Sequence, residues 1–428
     1  MNNLTQHESL LVGGERHRKH MTTDGTQISS STLKVLFVTR ENHSDIRYGL
    51  RKSLRPITDQ LAVSNVQADY LSQIQVSARN GIIINRMLKL ICCVLGLVAN
   101  QSSRKCLSDL FAGILERLNM GRLAVKVAVR DGFSHIHAHD PIIAAGAQYF
   151  RFGRKLSIGV TQHGFGSYAQ AIHEDGVPMP TSVMKWMRNW ERRILRRCHW
   201  VIMPSKSGLE QLARDLGEYP VPSHWSVINH PLPLIQKLPK KKARQELGLD
   251  PAVFYILSVG RIVPLKDFET LIRAVSQIKT ELNWALVILG DGDHQGLKNT
   301  AKCCGLNESQ LIFSVTDNIG VWYSAVDLYV STSLTESFGM ANHEAVCSGV
   351  PSVLTAVGAV PEVDGSASLL VPKRNVDAIS EAIEGLMGNP QLRNDLSQRG
   401  AVLSANWPTP DEITDQYLAC YKGSLITK

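Results

Sequence analysis

The sequence lacks the cysteine spacings that build metal sites and disulfide frameworks. Its 428 residues include eight cysteines, but none of them forms a C-x-x-C pair. Most lie in or beside apolar runs, as Cys92–Cys93 does, where a cysteine acts as a small buried hydrophobic residue. We therefore expect neither a zinc site nor a disulfide scaffold, and the cysteine usage predicts a reducing, cytoplasmic environment.

Long apolar segments are also missing. Residues 1–32 are polar, contain no apolar core of a signal peptide, and are predicted to form a disordered tail. The most apolar stretch, 81–99, is interrupted by charged residues, and its unbroken part, Leu90–Val98, is shorter than the roughly 20 residues that span a bilayer. We predict a buried or partly exposed helix there. The alternative is a helix in the membrane interface, with nearby basic residues at the lipid headgroups.

No nucleic-acid-binding motif is present, although the chain is basic overall, with a net charge of +8. Residues 1–230 contain 29 Lys and Arg and 17 Asp and Glu. Residues 231–428 contain 17 Lys and Arg and 21 Asp and Glu. The basic residues of the first part are scattered, which fits an anionic membrane surface or an anionic acceptor better than nucleic acid. We expect no nucleic-acid partner.

The segment Thr181–His199 combines an apolar stripe with six basic residues and two tryptophans. The stripe predicts an amphipathic helix. Such a helix can cover a sheet, or its basic and aromatic residues can face a membrane or an anionic acceptor. The sequence leaves both interpretations open.

Short apolar runs alternate with helical patterns along most of the chain. Lys34–Thr39, Phe254–Val259 and Trp284–Leu289 are typical of buried parallel strands. The alternation predicts an α/β protein with two doubly wound parallel-sheet domains and a ligand between them. Between them, Lys237–Arg244 is predicted to be a solvated linker.

The stretch 331–351 is the most informative part of the sequence. A predicted strand ends near Val330, a polar loop carries Glu336, and a helix from Gly339 carries Glu344. A loop before a helix offers free backbone N–H groups and the positive end of a dipole, which suit a phosphate. Carboxylates accept hydrogen bonds from hydroxyl groups, so the combination suits a nucleotide-sugar. A single Glu here would equally fit a solvated helix start.

Three further patterns carry candidate chemistry. After a predicted strand, Gly260 permits close backbone approach, and Arg261 and Lys266 can converge on one diphosphate. His163 lies on a glycine-flanked loop at another strand end, where its ring can reach a ligand. Alternating histidines at 135, 137 and 139 share one strand face, but no further ligand cluster accompanies them, so a structural role is favoured over a metal site.

The segment Glu336-Ser337-Phe338-Gly339-Met340, with Glu344 and the exit Cys347-Ser348-Gly349-Val350-Pro351, resembles the E-x7-E signature of retaining GT-B glycosyltransferases, especially glycosyltransferase family 4. The resemblance implies two Rossmann-like domains of GT-B type that face each other across a cleft. It also implies a donor-binding set and a smaller catalytic set. The donor-binding residues are Gly260, Arg261, Lys266, Gly290, Glu336, Ser337, Phe338, Gly339, Met340 and Glu344. The catalytic residues are Glu336, His163, Arg261 and Lys266.

In this resemblance Arg261 and Lys266 hold the diphosphate, Glu344 holds the ribose hydroxyls, and Glu336 is a positioning residue at the donor sugar. Residues 33–233 are the acceptor-side domain, 234–408 bind the nucleotide-sugar, and 409–428 form a helix that crosses back to the first domain. The chain departs from relatives in having a single glycine, Gly49, after its first loop, and His230-Pro231 in place of an Asn-Gly-Val-Asp-like turn.

The implied function is transfer of a sugar, with retention of configuration, from a UDP- or GDP-type nucleotide-sugar to a glycan or lipid-linked acceptor. Such a reaction belongs to cell-surface polysaccharide or glycolipid synthesis. We expect no metal and no other cofactor, and we interpret Asp291-Gly292-Asp293 as part of a turn. The expected location is the cytoplasm, with peripheral attachment to the inner face of the plasma membrane as an extension. The alternatives are a nucleotide-sugar epimerase of the same architecture and a non-catalytic nucleotide-sugar-binding protein.

Overall fold

The computed structural model describes residues 33–40, 49–73, 101–174 and 179–426. The predicted tail at 1–32, the loop residues 41–48 and the apolar run Leu90–Val98 lie outside these ranges, and the predictions made for them stay untested. Among the described residues, no helix combines the length and the apolar character needed to cross a membrane.

The strands form two sheets in which every pairing is parallel. The first sheet has the order β2-β1-β3-β4-β5-β6. Its strands are β1 Lys34–Thr39, β2 Gln67–Ser72, β3 His135–Ala138, β4 Ser157–Thr161, β5 Val201–Met203 and β6 Trp225–Val227. The second sheet has the order β12-β11-β10-β7-β8-β9. Its strands are β7 Phe254–Val259, β8 Trp284–Leu289, β9 Leu311–Ser314, β10 Leu328–Ser331, β11 Ser352–Thr355 and β12 Leu369–Val371.

Helices connect the strands and cover the sheets. Fifteen α-helices lie within the described residues. They are α1 Gly49–Val63, α2 Gln101–Asp131, α3 Pro141–Phe150, α4 Tyr168–Glu174, α5 Thr181–Arg196, α6 Lys206–Leu216, α7 Lys240–Leu247, α8 Phe268–Val275, α9 His294–Cys303, α10 Ile319–Ala325, α11 Met340–Cys347, α12 Val360–Val363, α13 Val376–Gly388, α14 Pro390–Ala405 and α15 Pro410–Ile426. The prediction of two doubly wound parallel sheets is confirmed.

The second sheet shows why its strands are uniformly apolar. In β7 and β8, Ile256 and Leu286 belong to one hydrophobic core, whereas Leu257 and Val287 belong to another. Successive strand residues point to opposite faces of a sheet, so both faces of this sheet are packed. A strand buried on both faces needs apolar residues at every position, which is the pattern seen in the sequence.

The order of the second sheet places a crevice at a defined position. Successive strands run outward from β7 in one direction as β8 and β9, and from β10 in the other as β11 and β12. The strand order therefore reverses between β7 and β10. In open α/β sheets, ligands bind at the carboxyl ends of the strands beside such a reversal.

The segment between the two sheets is solvated at Lys237 and at residues 240–242, as the sequence predicted, but its end is buried. Arg244 of α7 is buried, its Nη2 donates to Asp327 Oδ2 at 2.6 Å, and its Nε donates to the carbonyl oxygen of Ala325. Lys240 Nζ donates to the other oxygen of Asp327 at 2.5 Å. The prediction was wrong for Arg244 because its charge partner lies 83 residues away in sequence. The predicted domain boundary between residues 233 and 234 falls between β6 and α7.

The last helix packs on the first sheet. Tyr421 of α15 is fully buried, and its hydroxyl hydrogen-bonds His137 Nδ1 on β3 at 2.7 Å. His135 Nε2 lies 3.0 Å from Ser424 Oγ of the same helix. The C-terminal helix therefore contacts β3 through hydrogen bonds with two of the three alternating histidines.

Candidate active site

The loops after β7 and β10 meet at the reversal of strand order. Lys266 Nζ donates to Glu336 Oε1 at 2.5 Å, and Ser333 Oγ donates to the same oxygen at 2.7 Å. The side chains of Lys266 and Glu336 are 28% and 11% exposed. Two of the residues predicted for donor binding thus form one partly buried, charge-assisted hydrogen bond, a stronger contact than one between neutral groups.

The backbone around Glu336 is held from the loop after β11. Ala359 N donates to the carbonyl oxygen of Glu336 at 3.0 Å. Gly358 has a positive φ of 54°, and a Cβ there would lie 1.8 Å from that same oxygen. Only glycine fits this approach, so the loop geometry depends on Gly358.

Glycines also bring the loops after β7 and β8 together. A Cβ at Gly290 would lie 1.9 Å from the carbonyl oxygen of Gly260, and one at Gly260 would lie 3.2 Å from Lys266 Cε. Arg261, next to Gly260, is exposed and makes no ion pair with any residue of the described ranges. Both predicted diphosphate-binding cations therefore follow β7, but only Lys266 contacts Glu336.

The predicted signature helix is α11. Gly339 precedes it with φ 86° and ψ 53°, a left-handed conformation that glycine adopts without steric cost. Glu344, the fifth residue of the helix, is buried, and Tyr323 Oη donates to its Oε2 at 3.3 Å. The first turn of α11 has no side-chain cap from Gly339, so its backbone N–H groups retain bonding capacity. Phe338 is buried and Met340 packs in the same small hydrophobic cluster.

The signature loop contacts the first sheet's side of the molecule. Ser337 Oγ donates to the carbonyl oxygen of Gly164, and Ser205 Oγ donates to the carbonyl oxygen of Ser337, each at 3.2 Å. Ser205 also caps α6 by accepting from Gly208 N at 3.1 Å. His163 precedes Gly164, so the contact brings the predicted residues of both halves together.

Glu362 forms a second contact of this kind, which the sequence analysis missed. Its two carboxylate oxygens accept from the backbone N–H groups of Lys206 and Ser207 at 2.8 and 2.7 Å. These N–H groups are the first of α6, where a negative charge is favoured by the helix dipole. A carboxylate after Pro361 gives no sign in sequence of a partner 156 residues away.

His163 lies beside two other histidines. Its Nε2 is 2.9 Å from His139 Nδ1, and its ring is nearly parallel to that of His230, with centroids 5.8 Å apart. Burial and then the neighbouring His139 lower the pKa of His163 well below its usual value. Burial and the nearby charge of His343 lower the pKa of His230 to about 4. The sequence analysis favoured a structural role for His139 and noted His230 only as a departure from relatives. Neither residue could be linked to His163 in advance, because the rings are 24 or more residues apart in sequence.

Two carboxylates hold the loop that carries His163. Glu191 of α5 is buried and accepts from Gln162 Nε2 at 3.0 Å and from Tyr168 N at 2.9 Å. Asp215 of α6 accepts from Ser167 N at 2.8 Å. Burial, opposed by these hydrogen bonds, raises the pKa of Glu191 to about 8. The loop is thus tied to two helices on either side of His163.

A fully buried ion pair that the sequence analysis also missed joins α11 to the residue that follows α12. His343 Nδ1 is 2.8 Å from Asp364 Oδ1, and both side chains are inaccessible to solvent. Burial disfavours the charged imidazole, but the hydrogen bond and charge of Asp364, with a contact to Cys347, raise the pKa of His343 to about 9. Trp407 packs on His343 with ring centroids 4.2 Å apart.

The residues considered as metal ligands have other partners. His137 Nε2 lies 2.8 Å from Thr161 Oγ1, and burial, with smaller contributions from neighbouring histidines, lowers its pKa to about 3. Asp293 Oδ1 accepts from Gly296 N at 2.9 Å and so caps α9. Within the described ranges, no group of three or more His, Cys, Asp and Glu side chains is arranged to hold a metal ion.

Two family models match the chain in succession. Glycosyltransferase Family 4 matches residues 104–234, and Glycosyl transferases group 1 matches residues 239–402. The D-inositol 3-phosphate glycosyltransferase of Mycobacterium marinum is 33% identical over 199 residues, which are 44% of this chain and 42% of the relative. The lipopolysaccharide core biosynthesis mannosyltransferase LpsB of Rhizobium meliloti is 28% identical over 218 residues, which are 47% of this chain and 60% of LpsB. These alignments span about half the length of the curated relatives.

Solved structures share the fold over nearly the whole chain. Sucrose-phosphate synthase from Thermosynechococcus elongatus superposes with a TM-score of 0.71 at 18% identity, covering 92% of this chain and all of that one. Anabaena HepE in complex with UDP-glucose superposes with a TM-score of 0.66 at 16% identity, covering 91% of this chain and 99% of HepE. WaaG, a glycosyltransferase involved in lipopolysaccharide biosynthesis, superposes with a TM-score of 0.66 at 14% identity, covering 92% of this chain and 99% of WaaG. The matched sequence models and the shared fold place the chain among the GT-B glycosyltransferases that resemble family 4.

Proposed function

We propose that the protein is a retaining glycosyltransferase that moves a sugar from a nucleotide-sugar to a glycan or lipid-linked acceptor. The observation that carries the proposal is the Lys266–Glu336 pair at the reversal of strand order, with Arg261 exposed beside it. Cations and a carboxylate at one crevice match the two chemical parts of such a donor, its diphosphate and its hydroxyl groups. The HepE structures with UDP and with UDP-glucose support a nucleotide-sugar of UDP type.

Each half of the donor has its own binding groups in this proposal. Lys266 and Arg261 neutralise the diphosphate, on which negative charge grows as the sugar departs. The backbone N–H groups at the start of α11, after Gly339, bind a phosphate oxygen. Glu344 accepts hydrogen bonds from the ribose hydroxyls, and Glu336 positions the donor sugar.

The proposed reaction breaks the bond between the sugar's anomeric carbon and the phosphate oxygen and forms a bond from that carbon to the acceptor oxygen. The acceptor's proton passes to an oxygen of the departing diphosphate. No protein base is then required, and the residues act by positioning and by stabilising charge. The proposal includes no metal and no cofactor other than the nucleotide-sugar itself.

We further infer that the protein attaches to anionic membranes through one surface of the first sheet's helices. Trp186 and Trp190 of α5 stack, and Trp190 Nε1 donates to Tyr149 Oη at 2.7 Å. The aromatic–basic surface consists of these side chains and of Phe150, Phe152, Arg154, Lys155, Arg193 and Arg197. Trp186 and Phe152 are 61% and 74% exposed. Exposed aromatic rings beside cations suit the headgroup region of a bilayer.

Of the six basic residues of this helical segment, Arg188 donates to Gln170 Oε1 at 3.1 Å, and two others form ion pairs. Arg192 and Arg196 both donate to Glu218 Oε1, at 2.6 and 2.7 Å. Arg193 and Arg197 are exposed and make no ion pair within the described ranges. They follow Trp186 and Trp190 at helical spacing, so Arg193 shares one stripe of α5 with the tryptophans, and Arg197, the residue that caps the helix, continues it. A protein bound there would work at the cytoplasmic face of a membrane, where a lipid-linked acceptor is accessible.

The test is a two-stage screen of the full chain. A panel of UDP- and GDP-sugars is first scored by protection against thermal unfolding, and the protective donors are then incubated with glycan and lipid-linked acceptors. We expect one donor to yield an acceptor-dependent glycoside with retained anomeric configuration. Interconversion of the donor without a glycoside would identify an epimerase. Protection without turnover over the whole panel would identify a binding protein.

A further inference from the structure

A row of nearly parallel rings runs from the first sheet to the signature loop. His137 and His139 lie 4.7 Å apart at 16°, His139 and His163 lie 5.2 Å apart at 19°, and His163 and His230 lie 5.8 Å apart at 7°. Phe338 then packs edge-on against His230 with centroids 4.8 Å apart. The row joins the predicted catalytic histidine, His163, to three other histidines, none of which was predicted to be a site residue.

Neighbouring strands set the spacing of the first pair. β3 and β4 pair with Ala138 opposite Val160, so their ends place His139 and His163 on adjacent loops. His139 is buried between the rings of His137 and His163 and also packs near Phe37. Its ring is therefore held by the sheet, and it can serve as a fixed support for the more exposed loop residue.

The hydrogen bond between His139 Nδ1 and His163 Nε2, 2.9 Å long, has two possible directions. If His163 donates, His139 carries its proton on Nε2, and this buried atom has no hydrogen-bond partner among the residues that the structure describes. A buried N–H group without a partner costs about 1–3 kcal/mol. If His139 donates from Nδ1, its Nε2 is only an unpaired acceptor, a less costly arrangement. The second direction is favoured.

A charged ring in either position would be unfavourable. Burial and the neighbouring imidazoles lower the pKa of both His139 and His163 well below their usual value. Both rings are then neutral, and each holds a single N–H. When Nε2 of His163 accepts the bond from His139, the proton of His163 must be on Nδ1.

We propose that His139 is a positioning residue, which donates its Nδ1–H to Nε2 of His163 and so leaves the Nδ1–H of His163 to bind an oxygen of the donor substrate. The inference rests on the proposed transferase function. His163 in this arrangement is a neutral hydrogen-bond donor to a sugar hydroxyl or a phosphate oxygen. It is not a general base, since its lone pair is occupied by His139.

The first test reads the tautomer of His163 directly. Protein with ¹⁵N-labelled histidine gives two-bond proton–nitrogen spectra that distinguish the two neutral tautomers, and comparison with His163→Asn assigns the signals. We expect Nδ1 of His163 to carry the proton in the unmodified protein near neutral pH. A proton on Nε2, or a charged ring, would overturn the proposal. The NMR measurement of the tautomer needs no turnover, so its result does not depend on whether the protein transfers a sugar.

The second test uses two variants with opposite expectations. His139→Phe keeps a ring against His137 but removes the N–H group that donates to His163. His139→Asn places an amide N–H group near the position of Nδ1. We expect His139→Phe to leave His163 as a mixture of tautomers and to lower kcat about tenfold with little change in the KM for the donor. His139→Asn should restore most of kcat. Equal losses in the two variants, or an unchanged tautomer in His139→Phe, would mean that His139 only supports the fold.

Discussion

Lys266 Nζ and Glu336 Oε1 lie 2.5 Å apart, although 70 residues separate them in sequence. A diphosphate that binds Lys266 must share this ammonium group with Glu336 or displace the carboxylate from it. The two substitutions that break the pair should therefore act in opposite directions on diphosphate binding. Opposite effects of the two substitutions on diphosphate binding would distinguish a donor-binding site from a purely structural ion pair.

Lys266→Ala should weaken the binding of a nucleoside diphosphate, because it removes a charge-assisted contact that contributes about 1.5–3 kcal/mol. Glu336→Gln should strengthen binding of the same ligand severalfold, since a like charge near the phosphates is gone, and it should still reduce sugar transfer. Calorimetric titration measures both affinities. The matched control is Lys302→Ala, an exposed lysine on α9. Parallel losses in Lys266→Ala and Glu336→Gln would contradict the donor-site assignment.

Arg261 is exposed and unpaired within the described ranges, so replacing it should affect binding without affecting the fold. Arg261→Ala should leave the melting temperature unchanged and lower kcat/KM for the donor by about ten- to a hundredfold. Arg261→Lys should recover part of the loss, because lysine keeps the positive charge but cannot form the bidentate hydrogen bonds of a guanidinium group. Steady-state kinetics at varied donor concentration provide the comparison. Normal transfer by the alanine variant would remove Arg261 from the diphosphate site.

Sugar transfer should continue in an excess of chelator. Asp293 caps α9, and the proposed residues stabilise the diphosphate with cationic side chains instead of a metal ion. The measurement is the initial rate after extensive dialysis against chelator, with and without added divalent ions. Complete loss of activity that a divalent ion restores would return Asp291 and Asp293 to consideration as ligands.

Vesicles with anionic lipids should bind the protein reversibly through the aromatic–basic surface. Each cation near such a membrane contributes about 1 kcal/mol, and salt screens the attraction over about 8–10 Å. Flotation at low salt should bring the protein up with the vesicles, and raised salt should release it. Trp186→Ser combined with Phe152→Ser should abolish flotation, whereas Val402→Ser, at an exposed apolar position of α14, should not. Absence of flotation at low salt would indicate a basic surface that serves an anionic acceptor.

Acid should destabilise the fold through the buried histidines. His137, His139, His163 and His230 have lowered pKa values, so the unfolded chain binds their protons first, and stability is lost as pH falls below about 6.5. Glu191, with its pKa raised to about 8, and Asp364, whose pKa burial also raises, act in the opposite direction by at most one proton each. His343, with its pKa raised to about 9, is protonated in the folded state before this range is reached. Each net proton contributes up to about 1.4 kcal/mol per pH unit. Urea midpoints against pH would show the loss.

A matched pair of variants identifies the origin of that acid lability. His230→Asn should reduce the pH dependence of the urea midpoint, because it removes a buried group with a pKa of about 4. His173→Gln changes an exposed histidine of α4 and should leave the pH dependence as it is. A flat stability profile between pH of about 7 and about 5 in the unmodified protein would contradict the histidine explanation.

Much of the fold could be predicted because parallel strands buried on both faces leave a continuous apolar signal. The run Leu328–Val330 was predicted as a strand and is the first part of β10, and Phe254–Val259 coincides with β7. Helix ends were less certain. The helix predicted over Thr181–His199 ends at Arg196, because Ile194 and Leu195 accept from the backbone N–H of Arg197 and close the last turn.

Candidate residues next to strand ends could also be found in advance. Parallel strands share one carboxyl edge, so Lys266 after β7 and Glu336 after β10 must lie near each other once these strands are neighbours. The same logic does not extend to side chains that meet across the two sheets. Glu362 has no distinguishing pattern in its own surroundings, since the backbone N–H groups that it accepts from lie 155 and 156 residues away. His139 and His163, in contrast, follow neighbouring strands of one sheet, and their contact depends on that strand order.

By itself the sequence determined the local elements, the alternation of strand and helix, and the chemical types available at each strand end. These follow from short-range physics: apolar periodicity, glycine at close approaches and caps at helix starts. Only the tertiary structure decided that Lys266 pairs with Glu336, that Arg244 pairs with Asp327, and that His163 Nε2 lies 2.9 Å from His139 Nδ1. Such contacts depend on which loops the packed sheets bring within about 3 Å, and hydrogen bonds act only at that range.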